Sequence, residues 1–282
     1  MIRIVTDTTS GLPRNVAREL GIPILPQIII FGDQSYRDDT EIDTATFLQK
    51  LRTSSTLPKT AAPPPALYTP IYKEYCDQGD TVIVITPSAE VSGTYRSAIV
   101  AAQDFPNADI RVIDTRTVAG GMGTIVVRAL NWAKQGLSAD EVEARIKDMA
   151  RREKLYFLVD TLEYLYKGGR IGGAQALFGS ILQVKPILTL KVGRIEPVES
   201  QRTKRRAILR IRELVLSDSP HSDTAFLTIS HCDGEEEARA LAADLGAELG
   251  ITDVPIYEVP PAIVVHSGPG VLEASFFVPS DS

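Results

Sequence analysis

The stretch Thr81–Ala98, TVIVITPSAEVSGTYRSA, guides the interpretation of the rest of the chain. Its first six residues, Thr81–Thr86, are β-branched, which is typical of a strand buried on both faces of a parallel sheet. A polar break and then Val91-Ser92-Gly93-Thr94 lead into a predicted helix from Tyr95 to Phe105. Because the first N–H groups of a helix have no partner within it, this turn predicts a small site for a carboxylate or a phosphate. The structural alternative is that Ser92 only caps the helix.

The composition excludes several function classes. The chain has 282 residues, enough for two modest domains or one large α/β unit. With 36 acidic and 30 basic residues the net charge is -6, which argues against nucleic acid as a partner and disfavours a role on membrane surfaces. The two cysteines, Cys76 and Cys232, have no CxxC spacing, so neither a disulfide framework nor a zinc site is indicated. We therefore expect the reducing cytoplasm as its location.

Neither the N-terminal residues nor the longest apolar runs indicate a membrane segment. Met1–Val5 enters a predicted strand directly, without a cleavable apolar region. The apolar runs are shorter than the about 20 residues that a membrane-spanning helix needs. We expect no stable membrane insertion.

The pattern of elements changes near residue 150. Before it, strands and helices alternate, which predicts an α/β domain with a Rossmann-like parallel sheet covered by helices on both faces. After it, a small-residue helix over Ala174–Leu182 and paired strands over Lys185–Leu190 and Arg194–Glu199 indicate a mixed α+β arrangement. We predict two domains, residues 1–152 and 153–282.

Two further polar residues are candidates for a site. The prolines around Lys59-Thr60 hold the threonine in a defined place, so the hydroxyl of Thr60 is a second candidate for the site, beside that of Ser92. His266 precedes Ser267-Gly268-Pro269-Gly270 and has two readings, a ring that satisfies backbone groups at a tight turn or a proton carrier with a pKa of about 6.5. No second ligand at suitable spacing accompanies His266, so we expect no metal.

Several spaced motifs together resemble one family, the DegV family of fatty-acid-binding proteins that partner bacterial fatty acid kinase. The resemblance extends over essentially the whole chain. The matching motifs are Asp7-Thr8, Lys59-Thr60, Ser92-Gly93-Thr94-Tyr95 with Ser97-Ala98, Asp114-Thr115, Leu162-Glu163-Tyr164-Leu165, Gly168-Gly169-Arg170-Ile171, Lys185-Pro186-Ile187-Leu188, Arg202-Thr203 and His266-Ser267-Gly268-Pro269-Gly270. The chain departs from the family pattern at Ala61-Ala62-Pro63-Pro64, where the family usually has Ser-Gln-Pro-Ser, so contacts made by those side chains are not carried over.

The resemblance implies a two-domain protein that encloses one long-chain fatty acid and is not itself a catalyst. It implies that Thr60 and Ser92 hold the carboxyl group, and we expect the N–H groups near Gly93 and Thr94 to complete this cradle, with His266 beside the head group or at the kinase. A separate fatty acid kinase would convert the carboxylate into an acyl phosphate for phospholipid synthesis. We expect no cofactor.

The basic residues of the second half have two readings. One is a solvated helix face. The other is a docking surface for an acidic kinase, with Arg170 and Arg202 favoured because they lie inside the matching motifs.

Two other functions are weighed against lipid binding. One is a phosphotransfer enzyme related to dihydroxyacetone kinases, but the sequence has no GxxxxGK[ST] loop and no carboxylate cluster at magnesium spacing. The other is a DNA-binding regulator that uses the stretch Arg202–Arg212. The acidic composition and the missing helix-turn-helix signature argue against it.

Overall fold

The computed structural model describes residues 1–177 and 184–279. Its strands are β1 (Ile2–Asp7), β2 (Ile24–Leu25), β3 (Ile28–Phe31), β4 (Gln34–Arg37), β5 (Lys59–Ala61), β6 (Thr81–Thr86), β7 (Ile110–Asp114), β8 (Glu153–Leu158), β9 (Lys185–Lys191), β10 (Arg194–Gln201), β11 (Thr228–His231), β12 (Ile256–Glu258) and β13 (Leu272–Phe277). Its α-helices are α1 (Arg14–Leu20), α2 (Thr44–Thr53), α3 (Pro65–Asp77), α4 (Thr94–Ala102), α5 (Ala119–Lys134), α6 (Ala139–Arg152), α7 (Glu163–Lys167), α8 (Lys204–Asp218), α9 (Glu235–Leu249) and α10 (Pro261–Ser267).

The first sheet is parallel, with strand order β2-β1-β6-β7, as the sequence predicts. Alternate residues of β6 face opposite layers of helices. Val82 and Val84 pack with residues of α3 and α4, whereas Ile83 and Ile85 pack with residues of α5 and α6. Burial on both faces explains why this strand is β-branched throughout.

The second sheet has the order β10-β9-β8-β13-β11-β12 and is antiparallel except for the pair β11 and β12. One face is covered by α8 and α9, whose Ile211 and Leu245 pack with Leu158 of β8. The other face carries Leu155 and Phe157 and faces the first half of the chain. The predicted fold class, a parallel α/β part followed by a mixed part, is confirmed.

A small third sheet, in the order β4-β3-β5, lies between the two large ones. Thr60 lies in its strand β5, and the pairing of β5 with β3 places Thr60 opposite Ile29. Ile29 and Phe47 of α2 share a hydrophobic cluster with Leu155 and Phe157. Packing therefore crosses residue 152, and the division into 1–152 and 153–282 stays a prediction.

Three segments differ from or extend the sequence prediction. The segment before the last glycine turn is the helix α10. Pro261 lies in its first turn, where a backbone N–H would have no hydrogen-bond partner within the helix, so the N–H that proline lacks is not needed. A helix is predicted over Ala174–Leu182. Its residues 174–177 belong to a 3-10 helix, Gly172–Leu177, and the remainder lies outside the described residues. The sequence also predicts a strand over residues 225–231, but the observed strand begins only at Thr228, after a 3-10 turn over Asp223–Ala225.

None of the helices in residues 1–177 and 184–279 is long and apolar enough to cross a membrane.

Candidate binding site

A cavity lies between the carboxyl-terminal edge of the parallel sheet and the open face of the second sheet. Together with the open space at its mouth it has a volume of about 910 Å³. Most of the wall is apolar, and it is formed by Ala62, Pro87, Val91, Val118, Leu155, Phe157, Leu165, Leu190, Ile195, Val259, Ala262, Ile263 and Val271. The polar side chains in the wall are Thr9, Gln27, Thr60, Ser92, Arg170, His266, Ser267 and Glu273.

Thr60, Ser92 and His266, three of the residues predicted from the sequence, line this cavity together. They come from different elements: Thr60 from β5, Ser92 from the loop between β6 and α4, and His266 from α10. Thr60 Oγ1 lies 2.8 Å from His266 Nε2. Residues far apart in the chain thus form one polar group in a largely apolar wall.

The imidazole of His266 is buried against a glycine. A Cβ atom at Gly168 would lie only 2.3 Å from His266 Nδ1, so the close approach requires glycine there. The Nδ1 atom is buried and has no hydrogen-bond partner among residues 1–177 and 184–279. Burial, assisted by the nearby Arg170, lowers the pKa of His266 to about 4. The ring is therefore neutral at pH 7, which argues against the proton-carrier reading.

A buried hydrogen-bond chain lies behind Ser92. Thr94 N donates to Ser92 Oγ at 3.3 Å, and the two hydroxyl oxygens are 2.9 Å apart. Gln27 Nε2 donates to Thr94 Oγ1 at 2.8 Å and to Asp7 Oδ1 at 3.0 Å. Gly93 lies on the cavity wall, whereas Thr94 lies behind it and has its N–H directed at Ser92. Thr94 is thus placed to orient Ser92.

Asp7 anchors this chain at the end of β1. Its Oδ1 accepts hydrogen bonds from Thr9 N at 2.8 Å, Thr9 Oγ1 at 2.6 Å and Gln27 Nε2. Burial raises the pKa of Asp7 in spite of these donors. Because Asp7 Oδ1 already accepts from the Thr9 N–H, it is an acceptor toward Gln27 as well, and the amide nitrogen of Gln27 is the atom that faces it.

The two arginines predicted at a partner interface lie in different settings. Arg170 is half-buried in the cavity wall, and its guanidinium donates to the carbonyl oxygens of Val91 at 3.1 Å and Gly168 at 2.7 Å. Desolvation lowers the pKa of Arg170. Arg202 is exposed between β10 and α8. Arg170 thus joins the loop after α7 to the loop that carries Ser92.

The sequence analysis missed three polar residues of the cavity wall, namely Thr9, Gln27 and Glu273. Thr9 directly follows the Asp7-Thr8 motif and was within reach of motif reasoning. Gln27 stands between Pro26 and Ile28, and Glu273 stands between Leu272 and Ala274, so neither has a neighbouring pattern that signals a site.

Within residues 1–177 and 184–279, no group of three or more His, Cys, Asp or Glu side chains is arranged to hold a metal ion.

Comparison with known proteins identifies relatives along the whole chain. The family model described as "Uncharacterised protein, DegV family" matches residues 1–278. A DegV domain-containing protein of Streptomyces coelicolor is 38% identical over 273 residues, which cover 96% of each chain. The solved structure of a fatty-acid-binding DegV family protein from Thermus thermophilus has 32% identity and a TM-score of 0.91, with 99% of each chain covered. DegV of Bacillus subtilis, a fatty-acid-binding protein, has 32% identity and a TM-score of 0.87, covering 98% of this chain and 99% of that one. This chain belongs to the DegV family.

Proposed function

We propose that the cavity binds one long-chain fatty acid, with the carboxyl group at Thr60, Ser92 and His266. The observation that carries the proposal is a mainly apolar cavity in which these three side chains converge from three separate elements. The Thermus thermophilus and Bacillus subtilis relatives, described as fatty-acid-binding proteins, support the same ligand class.

The apolar wall accounts for most of the expected affinity. Burying a methylene contributes about 0.8 kcal/mol, so about 15 methylenes contribute roughly 12 kcal/mol before the cost of ordering the chain. The head group then needs orientation more than additional binding energy. Hydroxyl donors supply that orientation without the full charge of a cationic clamp.

The hydrogen-bond network leaves the hydroxyl of Ser92 free to donate. Thr94 is only 1% exposed, so its hydroxyl hydrogen needs a protein acceptor. Thr94 Oγ1 accepts from Gln27, and Ser92 Oγ at 2.9 Å is the other described partner of that hydroxyl. With the Thr94 hydrogen directed at Ser92 Oγ, the hydrogen of Ser92 can point to a carboxylate, which only accepts hydrogen bonds.

A similar argument applies to Thr60 and His266. Because His266 is neutral, one ring nitrogen carries the hydrogen, and Nδ1 has no partner in the described part of the chain. Buried unpaired N–H groups are rarer than buried unpaired acceptors, which favours the hydrogen on Nε2. His266 then donates to Thr60 Oγ1, and the Thr60 hydroxyl hydrogen is available to the ligand.

We further propose that the bound acid is presented to a separate ATP-using fatty acid kinase. A carboxylate oxygen would attack the terminal phosphorus of ATP, the bond from that phosphorus to the ADP oxygen would break, and acyl phosphate and ADP would form. Exposed Arg202 suits an interface with an acidic partner. Arg202→Glu should slow acyl phosphate formation by the kinase and leave fatty-acid affinity unchanged; loss of fatty-acid affinity instead would mean that Arg202 is structural.

The carboxyl assignment is tested by Ser92→Ala, measured through displacement of a fluorescent fatty acid. A hydrogen bond to a charged group is worth about 1.5–3 kcal/mol, so we expect the affinity for stearic acid to fall at least tenfold. The matched control is Ser97→Ala in the helix α4 that follows Ser92, because the Ser97 hydroxyl donates to the Pro63 carbonyl and does not line the cavity. Equal affinities in the two variants would refute the assignment.

A further inference from the structure

A second group of polar side chains lies on the sheet face that forms the cavity wall. Strand pairing places Ser230 of β11 next to Glu273 of β13, and Ser275, two residues further along β13, is on the same face. Glu153 of β8, paired with Phe277, is on this face as well. We name these four residues, Glu153, Ser230, Glu273 and Ser275, the Glu273 cluster.

Each member of the Glu273 cluster has an enclosed oxygen without a partner. The atoms are Glu153 Oε1, Ser230 Oγ, Glu273 Oε1 and Ser275 Oγ, and no hydrogen-bonding atom of residues 1–177 or 184–279 satisfies them. Buried polar atoms nearly always have a hydrogen-bond partner, so four unsatisfied oxygens on one face indicate a polar occupant.

The start of α5 closes one side of the cluster. A Cβ atom at Gly120 would lie 2.8 Å from Ser230 Oγ, and one at Gly121 would lie 2.2 Å from Glu153 Oε1. The Gly120 N–H also lies near the carboxyl group of Glu273. The two glycines thus bring the helix backbone against the cluster, and neither position has room for a side chain.

Glu273 connects the cluster to the cavity. Its side chain is 5% exposed and forms part of the cavity wall, beside its strand neighbour Phe157. A ligand that extends from Ser92 across the apolar sheet face therefore reaches a buried carboxyl group within the same cavity. The Oε1 atom of that carboxyl group has no hydrogen-bond partner in the described part of the chain.

The protonation of the cluster indicates which ligand group suits it. Burial raises the pKa of both Glu153 and Glu273 to about 8, so both carboxyl groups carry a proton at pH 7. A protonated carboxyl group donates and accepts hydrogen bonds, as do the serine hydroxyls. The cluster therefore suits a small neutral group that also donates and accepts, which is the property of an alcohol.

We propose that the preferred ligand is a fatty acid with a hydroxyl group along its chain, bound by Glu273 and its neighbours. This inference rests on the proposed function and specifies its substrate class. A site built to bind a hydroxyl group discriminates against the analogue that lacks it, because the buried polar groups then remain unpaired. Glu273 is thus a specificity-determining residue for the acyl chain.

The test compares the affinities of stearic acid and of hydroxystearic acids with the hydroxyl at successive carbons. The wild-type protein should bind at least one positional isomer about tenfold more tightly than stearic acid. Glu273→Leu should abolish or reverse that preference, and Glu273→Gln, which still donates and accepts, should retain most of it. The control is Glu236→Leu on the exposed surface of α9, which should leave the preference unchanged.

The outcomes separate this inference from the proposed function. Equal or tighter binding of stearic acid than of every hydroxylated isomer would overturn the inference alone and would mean that the cluster holds only water. A preference that survives in Glu273→Leu would overturn it too. A wild-type protein that binds none of these acids would overturn the proposed function and this inference with it.

Discussion

Gln27 Nε2 lies 2.8 Å from Thr94 Oγ1, and this buried contact sets the direction of the hydrogen bonds that end at Ser92. The same nitrogen donates to Asp7 Oδ1, so the amide of Gln27 can have only one orientation. Through Gln27 and Thr94, Asp7 at the end of β1 thereby leaves the hydroxyl hydrogen of Ser92 free to point into the cavity. A residue outside the cavity wall thus has a predicted effect on ligand affinity.

Replacing Thr94 tests this positioning role. Thr94→Val preserves shape but removes the hydroxyl that directs Ser92, so we expect the affinity for stearic acid to fall about five- to tenfold. Thr94→Ser restores a hydroxyl and should recover most of the affinity. Thermal unfolding measured in parallel separates the loss of binding from a loss of stability. Unaltered affinity in a folded Thr94→Val protein would contradict the positioning role.

The substitution Gly168→Ala tests whether the position of the His266 ring matters for binding. An added methyl group in Gly168→Ala would lie 2.3 Å from His266 Nδ1 and 2.9 Å from the Tyr164 carbonyl oxygen, so the imidazole must move. Because that ring contacts Thr60, we expect weaker fatty-acid binding, by about tenfold on the scale of one lost hydrogen bond to a charged group. Titration of stearic acid into the folded wild-type and Gly168→Ala proteins measures this loss of affinity. Identical dissociation constants would show that the position of the His266 ring is unimportant for binding.

The lowered pKa of His266 predicts a pH dependence of stability. Its pKa of about 4 in the folded protein is below its ordinary 6.5, so between these values the unfolded chain binds more protons. Its contribution to stability is complete above pH 6.5 and is lost as the pH falls toward 4, by at most about 1.4 kcal/mol per pH unit. In urea unfolding, His266→Gln should lose less stability over this range than the wild type. His221→Gln, at an exposed site, should behave as the wild type; parallel pH profiles of all three proteins would contradict this assignment.

The raised pKa of Glu273 predicts the opposite pH dependence of stability. Its pKa of about 8 exceeds its ordinary 4.5, so the folded protein binds more protons between these values and loses stability as the pH rises through them. Glu273→Gln cannot ionise, and its stability relative to the wild type should increase from pH 5 to about pH 8. Urea unfolding at several pH values measures the difference, with Glu236→Gln as the exposed control. A constant difference across the range would mean that the carboxyl group of Glu273 is already ionised when folded.

Local chemistry explains which elements were predictable. The run of β-branched residues in Thr81–Thr86 indicates a doubly buried strand, and the capping box at Ser138 and Glu141 marks the start of α6, as observed. The positions of α10 and β5 depend on contacts distant in sequence. Thr60, for example, is fixed by pairing with β3 and by contact with His266.

The same distinction applies to the cavity. Thr60, Ser92 and His266 belong to motifs that could be recognised together, and the structure brings them to one wall. Gln27 and Glu273 have their significance only through neighbours in space, namely Thr94 for the first and the start of α5 for the second. Periodicity and motif spacing do not reveal such contacts.

Native mass spectrometry of the purified protein tests the central claim most directly, because it counts ligands per chain. We expect a mass increment of one fatty acid per chain, its loss on delipidation, and its return when stearic or hydroxystearic acid is added. Ser92→Ala should retain less of the acid than Ser97→Ala under identical conditions. A chain that carries no fatty acid after purification and takes up none after delipidation would contradict the proposal that this cavity binds fatty acids.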